Sequence, residues 1–262
     1  MLLDLHINGY LRISVIKSAL SALAFLGLGG TAKANINLVI NGGFESTTLT
    51  SSGQISTNNV TGWSSNYDPV FYNFLYFPGQ ATTAGVGAVD TDGYNAFVWL
   101  YGPGNSSTFP LSPNGGNFLA VDADPAYHGA VTQVVSGLVA GKTYDLSFYW
   151  GGAQFTTRTG DTTESWQVSL GSETESTAVI DNASESFTGW QQANMIFTAT
   201  GASEVLSFLA VGGPANLPPV AVLDGVSLVQ TPEPAYWTPM VLGLGVLVFA
   251  SRRRRKSASQ QA

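Results

Sequence analysis

Regular two-residue alternation of apolar and polar side chains runs through the middle of the chain. Such a pattern suits a strand with one buried face, because successive strand residues point to opposite sides of a sheet. The apolar members of two such segments, 143–150 and 164–170, are Tyr144, Leu146, Phe148 and Trp150, then Trp166, Val168 and Leu170. The alternation predicts half-buried antiparallel strands.

Further strand patterns recur at short intervals, and turns rich in glycine, proline, asparagine and serine separate them. They fall at 117–121, 130–135, 192–199, 205–211 and 220–229. The stretch 45–66 is rich in serine, threonine and asparagine and is predicted to be a loop. The aspartates of 90–95 and 122–124 are interpreted as turns, with calcium-binding loops as the alternative. The sequence predicts an all-β fold, an antiparallel β-sandwich or jelly roll, over residues 35–230.

The N-terminus has the order of a secretory signal peptide. Arg12 and Lys17 precede an apolar run, and the small-residue triplet Ala32-Lys33-Ala34 follows it. The run is too short to span a bilayer core of roughly 30 Å as a permanent helix. We therefore expect residues 1–34 to be a signal peptide cleaved after Ala34.

The C-terminus has the order of a membrane stop-transfer segment. Residues 235–251 are apolar and uncharged, and five basic residues, 252–256, follow at once. A cluster of positive charge stays on the cytoplasmic side of a membrane. The pattern predicts one transmembrane helix at 235–251 with the preceding domain outside the inner membrane.

Charge is distributed very unevenly along the chain. Residues 35–231 hold fifteen acidic and two basic side chains, for a net charge of −13, whereas the whole chain has a net charge of −7. Nucleic-acid binding needs clustered lysine and arginine, so the domain is not expected to bind nucleic acid. Cysteine is absent, so the stability of an exported domain must come from its core or from a metal.

The tail resembles a known sorting signal. Pro232, Glu233 and Pro234 precede the apolar segment, and the basic cluster that closes it contains Arg252, Arg253, Arg254 and Arg255. In content, order and position this resembles the PEP-CTERM signal. The resemblance implies processing by an exosortase, a transient inner-membrane intermediate, and final placement at the cell surface or in the extracellular matrix. An ordinary membrane anchor is the alternative.

Both ends of the domain resemble galactose-binding-like β-sandwiches, a group that includes many carbohydrate-binding modules. Asn41-Gly-Gly-Phe-Glu45 opens the domain and Leu223-Asp-Gly-Val-Ser-Leu228 closes it, and the segment 115–148 fits the same pattern. The resemblance implies a structural calcium ion held by Glu45 and Asp224. Calcium takes six to eight oxygen ligands, which carboxylates supply. The alternative is that both are ordinary surface acids.

Six aromatic residues lie within 67–77, and sugars present apolar faces that stack on aromatic rings. Tyr72, Phe74 and Tyr76 are therefore candidate ligand-binding residues for extracellular polysaccharide. The alternative is that these rings are buried at one end of the sandwich.

Catalytic groups are few, so no catalytic residue is predicted and the protein is not expected to be an enzyme. His128 is the one histidine of residues 35–231, and no Gly-x-Ser-x-Gly motif is present. The sequence favours a non-catalytic, exported binding module, with glycans as the candidate ligand. The alternatives are a secreted polysaccharide hydrolase acting through two carboxylates and a purely structural envelope component.

Overall fold

The computed structural model describes residues 36–65, 72–90, 96–217 and 219–232. These ranges form fourteen strands and one 3₁₀ turn, Pro103–Asn105, with no α-helix among them. The strands are β1 Gly53–Gln54, β2 Ser64–Ser65, β3 Asn73–Tyr76, β4 Ala88–Val89, β5 Phe97–Val98, β6 Phe118–Asp122, β7 Val131–Ser136, β8 Thr143–Gln154, β9 Thr162–Leu170, β10 Glu173–Ser176, β11 Ile180–Asn182, β12 Gln191–Thr198, β13 Ser203–Gly213 and β14 Pro219–Gln230.

The strands form two sheets. The larger sheet has eight strands in the order β12-β8-β14-β6-β3-β1-β4-β5. The smaller has the order β10-β9-β13-β7-β2, with β11 also pairing with β9. All pairings are antiparallel except that of β1 with β4. The prediction of an all-β, two-sheet fold and the seven strand segments are confirmed, whereas the predicted loop 45–66 contains the short strands β1 and β2.

The main core lies between the two sheets, and the alternating residues of the sequence form it. Phe208 of β13 contacts Phe148 of β8 at 5.2 Å between ring centroids and Trp166 of β9 at 5.8 Å, both edge to face. All three side chains are fully buried. Aromatic pairs in this geometry contribute about 0.5–1.5 kcal/mol beyond the burial of their area.

A second apolar cluster lies on the opposite, outer face of the eight-stranded sheet. On β6, Leu119 belongs to the main core, whereas its neighbours Phe118 and Ala120 belong to this second cluster. Residues of two covering segments, 96–110 and 183–190, pack onto it. Phe109 stacks on Phe118 at 5.1 Å, and the indole N–H of Trp190 donates to the carbonyl oxygen of Pro110 at 3.1 Å. The covering segments therefore close most of the outer face to solvent.

The signal peptide predicted at 1–34 lies outside the described residues. So does the tail from Glu233 onward, including the segment 235–251 and the arginines 252–255. Pro232 is the last described residue and is exposed. Within the described ranges, no helix has the length and hydropathy that crossing a membrane requires.

Candidate functional site

A cavity of about 310 Å³ lies at one end of the outer face, where β6 ends and the covering segment 96–110 begins. Five aromatic side chains contribute to its wall: Tyr72, Phe97, Trp99, Tyr127 and Phe155. Polar groups also line it, among them Asp122, Asp124, Thr157, Arg158 and Asn216. An apolar wall with a few convergent polar groups is typical of a small-ligand site.

Two aromatic rings of the cavity keep much of their surface in solvent, whereas Phe155 is buried. Phe97 is 48% exposed and Tyr127 is 36% exposed. The indole N–H of Trp99 donates to the carbonyl oxygen of Gly85 at 3.1 Å, which fixes the ring next to Phe97, at 5.8 Å between centroids. These rings are held in place yet accessible, which is what stacking on a ligand needs.

Two carboxyl groups from the end of β6 line the cavity, but they are engaged differently. Asp124 accepts backbone N–H groups on both oxygens, from Ala126 and Asn216, so its carboxylate holds the following turn. Asp122 accepts the N–H of Asp124 on Oδ1 at 2.8 Å. Burial raises the pKa of Asp122 to about 7, against the lowering effects of that hydrogen bond and of the positive charge of Arg158. Asp122 can therefore change its protonation state near neutral pH.

Arg158 brings the positive charge of the cavity. Its side chain is exposed, and among the described residues it donates only to the carbonyl and hydroxyl oxygens of Thr157. A guanidinium group has five N–H donors in a planar fork. Most of its donor capacity therefore remains for a ligand.

The three aromatic residues predicted to bind ligand lie in different environments. Tyr72 is half-buried and lines the cavity. Phe74 and Tyr76 are fully buried in the second apolar cluster, and the Tyr76 hydroxyl donates to the carbonyl oxygen of Val98. A ring with no exposed face cannot stack on a sugar, so Phe74 and Tyr76 are corrected to core residues.

Most residues of the cavity were not predicted from the sequence. Asp122 and Asp124 were interpreted as turn residues, and Asp124 does hold a turn, but both also line the cavity. Trp99 and Arg158 belong to separate segments that meet only in the folded domain. The one signal in the sequence for this cavity was Arg158, an arginine in a domain with only two basic side chains.

Glu45 and Asp224 lie in a second polar cluster, together with the segment 112–117. Asp224 is fully buried, its Oδ1 accepts the N–H of Gly225 at 2.6 Å, and its Oδ2 has no partner. Burial raises the pKa of Asp224 to about 7, while hydrogen bonds from Ser112 and Gly225 lower it and the charge of Glu45 raises it. Glu45 is exposed and accepts the N–H of Asn117 at 2.7 Å. The structure therefore brings the two predicted calcium ligands into one cluster.

The donor chemistry of this cluster suits calcium in part. It has two carboxylates and an unpartnered buried oxygen, and calcium prefers oxygen ligands. In the part of the chain that the structure describes, no three acidic, histidine or cysteine side chains converge as a metal site. Any further ligands here would be neutral oxygens of the protein or water.

Comparison with known proteins gives distant similarities. No family model matches the sequence. Halomucin of Haloquadratum walsbyi (strain DSM 16790 / HBSQ001) is 26% identical over 215 residues, which is 82% of this chain and 2% of that protein. The chain thus spans a small fraction of the length of this curated relative.

Among solved structures, TmCBM61 in complex with β-1,4-galactotriose is 16% identical, covering 75% of this chain and all of its own, with a TM-score of 0.37. The CBM22-1 xylan-binding domain of Paenibacillus barcinonensis Xyn10C is 11% identical, covering 78% and 99%, with a TM-score of 0.39. A CBM4 structure is 15% identical, covering 74% and 99%, with a TM-score of 0.33. These three solved structures are carbohydrate-binding modules, and all three TM-scores are low.

Proposed function

We propose that the domain is a non-catalytic binding module for glycans and that the ligand enters the cavity beside Tyr127 and Trp99. The observation that carries the proposal is the cavity itself, in which accessible aromatic rings meet Asp122 and Arg158. Sugars combine apolar ring faces with hydroxyl groups, so they need both kinds of contact.

Different residues of the cavity wall supply the apolar contacts and the hydrogen bonds. Trp99, Phe97 and Tyr127 offer ring faces or edges for the apolar side of a sugar. Arg158 donates hydrogen bonds to hydroxyl oxygens, and Asp122 accepts from a hydroxyl when ionised and donates when protonated. The covering segments close the rest of the outer face, which favours binding of one end of a glycan over binding along the sheet.

Binding is tested with the purified full-length chain against a panel of polysaccharides and oligosaccharides, by calorimetry. We expect a ligand whose affinity falls at least about tenfold, or about 1.4 kcal/mol, in Trp99→Ala and Arg158→Ala. Lys142→Ala, which changes the other basic residue of the described ranges outside the cavity, is the matched control. Equal affinities in all four proteins would refute the assignment to the cavity, and no binding at all would favour a purely structural envelope component.

The alternative of a polysaccharide hydrolase receives little support from the cavity. Hydrolysis of glycosides uses two carboxyl groups on opposite sides of the bond. Both oxygens of Asp124 already accept backbone N–H groups, which leaves Asp122 as the acid available among the described lining residues. Release of new reducing ends from any bound polysaccharide, lost in Asp122→Asn, would contradict the non-catalytic proposal.

We also propose that the protein is exported and sorted to the cell surface or extracellular matrix. The support is the order of signals in the sequence: a signal peptide at 1–34, the motif Pro232-Glu233-Pro234, an apolar segment and the basic cluster 252–256. An exosortase would process the tail from an inner-membrane intermediate. Deletion of 252–256 should leave an unprocessed form of higher mass, seen by cell fractionation. Unchanged location and mass would refute the sorting proposal.

A structural calcium ion at Glu45 and Asp224 is the third part of the proposal. The unpartnered, buried Oδ2 of Asp224 supports it. A ligand that binds only the folded state stabilises it by about 2.7 kcal/mol at a concentration of 100 Kd. We expect calcium to raise Tm relative to chelator, and Asp224→Asn to reduce that rise. If calcium raised the Tm of Asp224→Asn as much as that of the parent protein, this site would be refuted.

A further inference from the structure

A further group of buried oxygens lies on the six-stranded sheet, at the start of β9. Thr162 and Glu164 lie two residues apart on β9, so their side chains share a face. On the paired strand β11, Asn182 lies opposite Thr162 and Ile180 lies opposite Glu164. This register brings three oxygen-bearing side chains to one place, which we call the Glu164 cluster: Thr162, Glu164 and Asn182.

The Glu164 cluster lies between the sheets. A Cβ atom built on Gly152 of β8 would come within 2.4 Å of Glu164 Oε2 and 3.3 Å of the Ile180 Cδ1 atom. The absence of a side chain at Gly152 thus makes room for the carboxylate against the larger sheet. Glu164 is 0% exposed, Asn182 1% and Thr162 2%.

The oxygens of this cluster lack hydrogen-bond partners. Both carboxylate oxygens of Glu164, Oγ1 of Thr162 and Oδ1 of Asn182 are buried with no hydrogen bond. The orientation of the Asn182 amide is fixed, because its Nδ2 donates to the carbonyl oxygen of Ser186 at 3.1 Å. Asn182 therefore presents an acceptor to the cluster. An unpaired buried polar group costs about 1–3 kcal/mol, and a charged one costs more.

Protonation of Glu164 is the competing explanation for this arrangement. Burial raises the pKa of Glu164 to about 8, the neighbouring Thr162 hydroxyl lowers it, and the negative charge of Asp181 raises it. A protonated carboxyl group adds one donor, and Thr162 has one more. A protonated Glu164 that donates to Asn182 and accepts from Thr162 would give each of the four oxygens one hydrogen bond, whereas a bound cation would be coordinated by the ionised carboxylate and by both neutral oxygens.

We propose that Thr162, Glu164 and Asn182 form a calcium-binding site that is separate from Glu45 and Asp224. The cluster offers up to four oxygen ligands, two of them from the carboxylate, and calcium takes six to eight oxygens, including backbone carbonyls and water. It has no nitrogen or sulfur ligand in position, which disfavours zinc and other transition metals. The exposed carboxylate of Asp181 adds negative charge nearby.

The site would stabilise one of the covering segments. Asn182 ends β11 and leads directly into 183–190, and its amide already contacts Ser186. Within that segment, the N–H of Glu185 donates to Oε1 of Gln154 on β8 at 2.8 Å. A cation bound by Asn182 and Glu164 would therefore fix the start of the segment that covers the outer face.

The test measures calcium binding by calorimetry on the full-length chain after treatment with chelator. The background carries Glu45→Gln and Asp224→Asn, so that the first candidate site does not contribute. We expect this background to bind one calcium ion per chain and to lose it when Glu164→Gln is added. Failure of the background to bind calcium, or unchanged binding with Glu164→Gln, would overturn the proposal in favour of a protonated, metal-free Glu164.

One further ligand variant and one matched control test whether the loss of calcium binding is specific to the Glu164 cluster. Thr162→Val keeps the shape of the side chain, removes one ligand oxygen, and should raise the Kd about tenfold or more. Glu204→Gln is the matched control on the neighbouring strand β13, because Glu204 Oε1 accepts three hydrogen bonds, from the Thr200 N–H and hydroxyl and the Gly201 N–H. Equal loss of calcium in Glu204→Gln would mean that the effect is general, and would also overturn the proposal.

Discussion

Tyr72 and Tyr127 meet edge to face, with ring centroids 5.8 Å apart and planes at 67°. Tyr72 precedes β3 and Tyr127 lies in the turn held by Asp124, so this pair joins two parts of the chain that are distant in sequence. Both rings line the cavity. The next outward-facing residue of β3, Phe74, contacts Tyr72 at 6.3 Å but is fully buried. The boundary between cavity wall and core on this side therefore falls between Tyr72 and Phe74.

This boundary predicts opposite effects for two substitutions. Phe74→Ala removes a fully buried ring and should lower the free energy of unfolding by about 3–5 kcal/mol. Tyr127→Ala removes a ring that is 36% exposed and should cost much less stability while weakening ligand binding. Urea unfolding and calorimetry on the same samples separate the two quantities. A stable Phe74→Ala variant with lost binding would place Phe74 in the site instead.

The raised pKa of Asp122 predicts that the stability of the fold depends on pH. Its pKa is raised by burial from 3.8 to about 7, so the folded protein holds this proton more tightly than the unfolded chain does. The favourable contribution is complete below about pH 4 and is lost as the pH rises to about 7, an effect of at most roughly 4 kcal/mol. Asp224 and Glu164 shift in the same direction and add to the decline.

The measurement is urea unfolding at a series of pH values between about 4 and 8. Asp122→Asn keeps the acceptor for the Asp124 N–H and should flatten part of the decline. Glu175→Gln, at an exposed position on β10, is the control and should leave the pH profile unchanged. A profile in Asp122→Asn that matches the parent protein would show that Asp122 does not titrate in this range.

The sequence was sufficient for seven of the fourteen strands of the described residues, but not for short strands such as β1 and β2. Tyr144, Leu146, Phe148 and Trp150 are all buried in the main core, as their alternation predicted. The burial of 73–76 depends on the covering segment 96–110, which is distant in sequence, so periodicity alone could not show it. One local signal was present: the unbroken apolar run Phe74-Leu75-Tyr76 is typical of a strand buried on both faces.

The cavity was less predictable than the fold because it is made of residues from five separate segments. Tyr72 was predicted together with Phe74 and Tyr76, which are core residues. Arg158 follows β8 and reaches Asp122 only after β6 and β8 have both paired with β14. Such a juxtaposition depends on strand order, which alternation does not specify.

Gly152 predicts a steric cost that is specific to one position. A Cβ atom there would lie 2.4 Å from Glu164 Oε2, so Gly152→Ala should lower the free energy of unfolding by about 1–3 kcal/mol. Gly53→Ala is the matched control on β1, where the nearest atom to a new Cβ is 3.7 Å away. Its effect should stay within about 0.5 kcal/mol. Equal effects of the two substitutions would show that the space at Gly152 is not required.

Asn41 links the opening motif of the domain to its neighbouring loops. Its side chain donates to the carbonyl oxygens of Ser46 and Thr61, both at 3.0 Å, and accepts the N–H of Ser46 at 2.9 Å. Its backbone φ is +53°, in the left-handed region that asparagine and glycine tolerate better than alanine. Asn41→Gly keeps this backbone conformation but loses the hydrogen bonds.

These two contributions can be separated by comparing variants. Asn41→Gly should lose about 1–3 kcal/mol of unfolding free energy from the missing hydrogen bonds, and Asn41→Ala should lose about 1 kcal/mol more because of its backbone conformation. Thermal and urea unfolding of both variants, each with calcium and with chelator, provide the measurement. If Glu45 depends on this turn for its position, the calcium-dependent rise in Tm should fall in both variants. An unchanged rise in destabilised variants would mean that the calcium response does not depend on the turn at Asn41.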